Sequence, residues 1–125
     1  MKKLSKVMLV ARGAEALKSL QGMWGRAQVD QLAELIPAMS FRSVRATQRL
    51  VRKNQPSVVV IGHGFADQPF FGDELIQAIR AACPSCLVIC INGGLFLTAV
   101  HSQVDFRIKG SPENLRTTLL AIRAR

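Results

Sequence analysis

Two cysteines separated by two residues form the most recognisable chemical motif in the sequence. Cys83 and Cys86 could act as a redox pair or supply two thiolate ligands to Zn²⁺. A redox pair normally opens a helix, where the dipole lowers the thiol pKa, but this pair follows a helical pattern and leads into an apolar run. Cys90, His63 and His101 are the remaining candidate zinc ligands. We interpret the thiols as structural, with metal or redox chemistry as the alternative.

Two polar residues beside glycines each follow an apolar run. His63 lies between two glycines and could carry a phosphoryl group or act as a general base, with Asp67 orienting its ring. Asn92 precedes two glycines, whose backbone N–H groups could cradle a phosphate. For both segments the alternative is a tight turn that needs glycine. Because no nucleophile elbow or phosphate-loop lysine accompanies them, we expect no enzyme active site.

Basic residues concentrate in one segment. No acidic residue lies between Glu34 and Asp67, whereas five basic residues do. Three arginines recur at spacings of four and three, which places them on one face of a helix. A solvated helix face usually mixes charges of both signs. This segment therefore indicates an acidic partner, either nucleic-acid phosphate or an acidic protein surface, with a plain solvated face as the alternative. The five residues are Arg42, Arg45, Arg49, Arg52 and Lys53.

The composition restricts the class of protein. The 125 residues, 49 % hydrophobic and 20 % charged with a net charge of +9, predict a single folded domain over 1–125 and exclude disorder, collagen and coiled coil. An odd count of three cysteines argues against a disulfide scaffold. No apolar run approaches the roughly 18 residues of a membrane span, and the run from residue 7 to residue 11 is too short for a secretory signal. We expect a cytoplasmic protein.

Apolar runs alternate with helical periodicity along the chain. The runs at 6–11, 57–62 and 86–91 are β-branched and continuous, which is typical of strands buried on both faces. Residues 39–44 alternate apolar with polar and predict an edge strand, and residues 106–108 predict a fifth strand.

Helices are expected in the intervals. Ser111 and Pro112 form a strong helix start, as N-cap and first-turn residue. Gly22 and Gly25 are expected to interrupt the helical path, since each costs a helix about 1 kcal/mol. Trp24, at this break, is expected either in the core or as an exposed contact residue. The predicted helices cover 14–20, 29–36 with Pro37 as the stop, 46–53, 73–82 and the segment from 111 onward.

This alternation predicts an α/β fold. Parallel βαβ units give a three-layer αβα sandwich with a five-stranded parallel sheet in the flavodoxin-like order 2-1-3-4-5. A binding cleft is then expected beyond the carboxyl ends of strands 1 and 3. Residues 11–13, 62–64 and 91–94 would line it.

The segment from Val104 to Leu115 carries a resemblance to a known family. It reads Val-Asp-Phe-Arg-Ile-Lys-Gly-Ser-Pro-Glu-Asn-Leu. It resembles the final strand and helix start of a response-regulator receiver (CheY-like) domain, in which an aromatic switch residue stands three positions before an invariant Lys. Phe106 and Lys109 match, while Gly110 stands where Pro is usual. The resemblance extends in pattern over nearly the whole chain and implies the flavodoxin-like fold and a role in signalling.

The resemblance also implies a phosphorylation site that this chain does not carry. A working receiver has two acidic residues after strand 1 that hold Mg²⁺, an acceptor Asp after strand 3 and a Ser or Thr after strand 4. Here those positions hold Ala11, Arg12 and Gly13, then Gly62 or His63, then Ile91 or Asn92, and only the family's Lys is retained, as Lys109. We therefore predict a degenerate receiver, or pseudo-receiver, that uses no metal and no other cofactor.

Two functions of different classes follow. The first is a phosphorylation-independent signalling adapter, which would bind a protein partner or a second copy through the face that the family builds from its fourth helix, fifth strand and fifth helix. Phe106, Lys109 and Arg116 lie in that region. The second is a small basic nucleic-acid-associated protein that uses the arginine-rich helix. A third option is a small anion held between Arg12 and Lys109. We favour the adapter because the resemblance spans the chain.

Overall fold

The computed structural model describes residues 4–11, 13–40, 43–62, 69–92 and 105–124. The strands are β1 (Leu4–Ala11), β2 (Ala33–Ser40), β3 (Val58–Ile61), β4 (Leu87–Asn92) and β5 (Phe106–Lys109). The α-helices of this part of the chain are α1 (Ala14–Arg26), α2 (Val44–Asn54), α3 (Pro69–Ala82) and α4 (Pro112–Arg123). A short 3₁₀ helix (Val29–Gln31) lies between α1 and β2.

The strands form one parallel sheet in the order β2-β1-β3-β4-β5, which confirms the predicted topology. Val58 of β3 pairs with Val7 of β1 on one side and Leu87 of β4 on the other. All four residues of β3 are buried. Continuous apolar runs arise here because helices cover both faces of the central strands.

Two apolar layers separate the sheet from its helices. In one layer, alternate residues of the central strands, such as Leu9 and Val60, pack with residues of α1 and α4. In the other layer, the intervening residues, such as Met8 and Val59, pack with residues of α2 and α3. Side chains that alternate between the two faces of a strand therefore supply both layers of the αβα sandwich.

The predicted second helix is wrong. Residues 29–31 form a 3₁₀ helix, and Ala33–Ser40 form β2, the terminal strand of the sheet. The edge strand predicted at 39–44 exists as β2, but its predicted bounds are wrong, because β2 ends at Ser40 and α2 begins at Val44. Pro37 does not stop a helix but lies inside β2, a terminal strand whose register shifts between Ile36 and Met39, and proline is tolerated at such positions.

Helix α1 continues through Gly22 and Gly25, where the sequence predicted a break. The two glycines together cost the helix about 2 kcal/mol. Met23 and Trp24 are buried, and complete burial of such side chains is worth about 1.5–3 kcal/mol each. Trp24 also donates its indole N–H to Asp30 Oδ1 at 2.9 Å. Trp24 therefore belongs to the core, and the burial of Met23 and Trp24 together outweighs the weak helix propensity of the glycines.

Helix α4 begins as the sequence predicts. Ser111 is its N-cap, and the Ser111 hydroxyl accepts a hydrogen bond from the Asn114 backbone N–H at 3.1 Å. Pro112 is the first helical residue. Leu115, Leu119 and Ile122 are buried against the sheet. Among the helices described, none combines the length and the apolar character that crossing a membrane would need.

Candidate functional site

The carboxyl ends of β1 and β3 meet at the position where the cleft was predicted. Gly62 directly follows β3 and donates its N–H to the Val10 carbonyl at 2.8 Å. A Cβ atom added at Gly62 would lie 3.2 Å from Leu20 Cδ2 and 3.4 Å from Ala11 Cβ. All these residues are buried. Gly62, one of the two positions that the resemblance assigns to a phosphate acceptor, is therefore packed against apolar side chains of α1 and β1, while the other, His63, lies outside the described residues.

The ends of β4 and β5 bring two further predicted positions together. Asn92 is the register partner of Lys109 at the carboxyl ends of these strands. The Lys109 side chain is exposed, and the Lys109 carbonyl accepts a hydrogen bond from Asn114 Nδ2 at 3.3 Å. Phe106, at the other end of β5, is half-buried and packs against the α1–α4 layer. Asn92 and Lys109 thus lie together at the carboxyl ends of their strands, as the predicted fold requires, whereas Phe106 lies at the opposite end of β5.

Some predicted residues lie outside the described part of the chain. They are Arg12, Arg42, His63, Asp67 and His101. Residues 93–104, which join β4 to β5, lie outside it as well, so only β5 and α4 of the proposed interaction face are described. Arg12 is the residue between Ala11 and Gly13, and Gly13 opens α1 with a φ of 92°, a value that favours glycine.

Helix α2 carries the basic residues that the sequence singled out. The exposed residues of this helix are all cations, and we call this group the basic ridge: Arg45, Arg49, Arg52 and Lys53. Thr47 and Val51, on the opposite face, are buried. The periodicity predicted from the sequence is confirmed, although the helix begins at Val44 rather than at residue 46.

Both ends of α2 are fixed by hydrogen bonds. The Ser43 hydroxyl accepts from the Ala46 N–H at 3.0 Å, and the Thr47 hydroxyl donates to the Ser43 carbonyl at 3.0 Å. At the other end Gln55 adopts a left-handed conformation, with φ 46°, and its side-chain amide donates to the carbonyl of Ala82 at 2.9 Å. Gln48 donates to the Ala78 carbonyl of α3 at 3.2 Å. The bonds of Gln48 and Gln55 hold α2 against α3, and the bonds at Ser43 fix its first turn.

Arg116 makes contacts that the sequence interpretation missed. Its guanidinium Nη1 donates to the Ala27 carbonyl at 2.9 Å and to the Gln28 carbonyl at 3.3 Å. These carbonyls follow the last turn of α1, where the helix itself provides no further donors. Arg116 therefore has an internal role in joining α4 to α1. Its predicted role in partner binding stays a prediction.

The three cysteines are free and buried. Cys83 Sγ lies 3.6 Å from the Pro56 carbonyl and Cys86 Sγ lies 3.4 Å from the Leu87 carbonyl, each with the geometry of a weak S–H donor. Burial, together with the neighbouring Cys83, raises the pKa of Cys86 to about 12. The pair follows α3 and leads into β4, as predicted. At neutral pH the Cys86 thiol is protonated, which suits a structural cysteine rather than a nucleophile.

Known proteins resemble the chain in structure only. No protein-family model and no curated protein matches it. A pilus assembly-related protein from Burkholderia pseudomallei superposes with a TM-score of 0.72 at 14 % identity, covering 97 % of this chain and 90 % of that one. A CheY-like receiver domain from Methylobacillus flagellatus gives 0.67 at 15 % identity, covering 96 % and 99 %. The CheY-like protein TadZ from Pseudomonas aeruginosa gives 0.63 at 18 % identity, covering 95 % and 98 %.

These similarities extend over nearly the whole of the chain. The observed strand order is the one that the resemblance to receiver domains predicts. The chain therefore has the fold of a CheY-like receiver domain. At these identities the likeness concerns the fold, and the function depends on the site residues.

Proposed function

We propose that this protein is a degenerate receiver module, which binds a protein partner in signalling without being phosphorylated and without enzymatic activity. The packing at Gly62 is the observation that carries the proposal. A side chain at position 62 would begin with a Cβ atom 3.2 Å from Leu20 Cδ2 and 3.4 Å from Ala11 Cβ, so Leu20 would have to move to accommodate an acceptor residue. We expect the protein to work in the cytoplasm.

The residues at the end of β1 do not fit the Mg²⁺ that receiver chemistry requires. A hard cation takes carboxylate oxygens, and Ala11 offers only a buried methyl group. The next residue in the sequence, Arg12, adds a positive charge rather than a ligand. These residues therefore do not support metal-dependent phosphoryl transfer. Loss of the metal site leaves the buried strands of the fold intact.

Partner binding is proposed at the surface formed by β5 and α4. Lys109 is exposed at the end of β5, and Leu120 of α4 is the large hydrophobic side chain that stands out among those described, at 36 % exposure. An exposed apolar side chain can contribute to the apolar centre of a protein interface. Because one structural neighbour is a pilus assembly-related protein, bacterial pilus assembly is a setting in which to seek the partner.

Phosphorylation is tested directly with acetyl phosphate and Mg²⁺, followed by intact-mass measurement. We expect an unchanged mass, while a receiver domain that retains its acceptor Asp gains one phosphoryl group in parallel. A phosphoryl adduct on this chain would overturn the proposed loss of the site.

Partner binding is tested by capture from native lysate of a bacterium that encodes the protein, with and without nuclease. We expect one or two proteins to remain bound after nuclease at moderate salt. Lys109→Glu together with Leu120→Ala should reduce their recovery, whereas Lys18→Glu, an exposed change on α1, should not. If all bound proteins disappear with nuclease, the adapter function is wrong.

A further inference from the structure

We infer that the basic ridge of α2 binds the phosphate backbone of duplex DNA without reading its sequence. The inference is independent of the proposed adapter function, since it concerns a different surface. It rests on the composition of the exposed face of α2, on the geometry of the ridge and on how firmly the helix is held.

The ridge presents a dense row of cations. Arg45 and Lys53 are eight residues apart, which corresponds to about 12 Å along a helix. Duplex DNA carries one phosphate charge per roughly 1.7 Å of its axis, so several phosphates lie within reach of such a row. Three of the four cations are arginines, whose planar guanidinium groups can bind phosphate oxygens in a bidentate manner.

The exposed face of α2 lacks the features of a protein interface. Protein interfaces place apolar and aromatic side chains at their centre and are depleted of charge there. Here every exposed residue of α2 is basic, and the apolar residues Val44, Leu50 and Val51 are buried or half-buried. A purely cationic surface instead matches phosphate contacts, which position a protein on DNA but carry no sequence information.

The composition of α2 also favours a duplex over a single strand. Proteins that hold single-stranded nucleic acid stack bases on aromatic side chains, and α2 contains no aromatic residue. Duplex RNA is recognised through its 2′-hydroxyls as well as its phosphates, and arginine and lysine side chains offer no acceptor for the hydroxyl proton. Contacts to the phosphates of duplex DNA need only cationic side chains spaced along a surface, as in the basic ridge.

Helix stability accounts for only the carboxyl-terminal part of the ridge, where Arg52 and Lys53 interact favourably with the helix dipole. Arg45 lies in the first turn of α2, where the helix dipole disfavours a cation and where no acidic residue compensates. Arg45 and Arg49, and again Arg49 and Lys53, are like-charged pairs at a spacing of four, which weaken a helix. The hydrogen bonds of Ser43, Gln48 and Gln55 nevertheless hold α2 in place. The ridge is therefore preformed for an anionic ligand.

Fluorescence anisotropy with labelled duplex DNA of two unrelated sequences tests the inference. We expect equal affinity for both sequences and roughly a hundredfold loss of affinity between 50 and 200 mM salt, the dependence for about four phosphate contacts. The variant R45Q/R49Q/R52Q should bind at least tenfold more weakly and lose most of the salt dependence. The matched control K18Q/R26Q/R123Q removes the same charge from α1 and α4, and should stay within about threefold of the native protein.

Four results would overturn the inference. Equal loss of binding in the two triple variants would assign the effect to net charge rather than to the ridge. Tighter binding of polyglutamate than of DNA would assign the ridge to an acidic protein. Tighter binding of single-stranded DNA or of duplex RNA would contradict the choice of ligand. Unchanged binding by R45Q/R49Q/R52Q, with a native circular dichroism spectrum, would exclude the ridge.

Discussion

Arg116 of α4 donates a hydrogen bond from its guanidinium to the Ala27 carbonyl at 2.9 Å, across 89 positions of sequence. Gln28, whose carbonyl lies 3.3 Å from the same nitrogen, has a left-handed backbone with φ 55°. The chain turns here from α1 toward β2, which exposes carbonyl groups that the helix cannot satisfy. One side chain from the last helix thus fixes the turn that leads to the terminal strand.

Replacing Arg116 with alanine should therefore destabilise the protein. We expect the free energy of unfolding to fall by about 1.5–3 kcal/mol, the usual contribution of hydrogen bonds to a charged group. Arg116→Lys should recover part of the loss, because an ammonium can reach only some of these acceptors. Urea denaturation measures the change, with Arg49→Ala as a surface control that should stay within about 0.5 kcal/mol. An equal effect of Arg116→Ala and Arg49→Ala would contradict the role of the contact.

Gly62→Ala should destabilise the native protein but not a Leu20→Ala variant. The added methyl group would lie 3.2 Å from Leu20 Cδ2, so we expect a loss of about 1 kcal/mol once the entropic benefit of replacing glycine is included. Without the Leu20 side chain the methyl group has space. A double-mutant cycle by thermal unfolding measures the coupling, and equal losses in both backgrounds would show that Leu20 does not crowd this position.

The Cys86 thiol should make the stability of the protein fall at alkaline pH. Because the pKa of Cys86 is about 12 in the folded state against 9.0 for an unperturbed thiol, the unfolded state loses its proton first. The stabilisation from the protonated thiol is complete below pH 9 and disappears as the pH rises toward 12. Urea denaturation at each pH gives the free energy of unfolding. Between pH 9 and 12 this free energy should fall less steeply with pH in Cys86→Ala than in the native protein.

Reaction with a chromogenic thiol reagent measures the burial of the three cysteines independently. We expect none of the three cysteines to react at pH values near neutral until denaturant is added, because all are buried. Rapid reaction of one thiol in the native protein would contradict the buried placement of that cysteine.

Arg45→Glu should stabilise α2. A carboxylate in the first turn interacts favourably with the helix dipole, and it forms an attractive pair with Arg49 four residues later. We expect a gain of about 0.5–1 kcal/mol in the free energy of unfolding. Thermal unfolding measures it, with Arg52→Glu, in the last turn, as the comparison that should lose stability. A loss of stability in Arg45→Glu would mean that Arg45 makes a favourable interaction within the fold.

The central strands could be predicted because their sequence signal is local. Residues such as Val58, Val59 and Val60 are buried whichever neighbour they pair with, so an apolar run suffices. The second strand could not be predicted in this way. Val29, Leu32 and Ile36 are buried at spacings that imitate one face of a helix, yet they belong to a 3₁₀ helix, a turn and a strand. Periodicity alone does not separate these cases over eight residues.

The candidate sites also differ in whether the local sequence was enough to predict them. The basic ridge could be predicted because its residues belong to a single helix and share one period. The contact of Arg116 with Ala27 and the crowding of Gly62 by Leu20 could not, because each joins segments that only the completed fold brings together. A charged surface on one helix can be predicted from a short stretch of sequence, whereas contacts between distant segments can be identified only in the tertiary structure.

The register of β2 has a consequence for how the protein avoids unwanted assembly. Met8 pairs with Ile36 and Val10 pairs with Met39. Between these pairs β2 therefore has one residue more than β1, and this bulge includes Pro37. A bulged strand with a proline offers an irregular row of donors on its outer side. The other terminal strand, β5, is only four residues long. In the described part of the chain, neither edge of this apolar sheet therefore presents a long regular template, which disfavours edge-to-edge pairing of two copies.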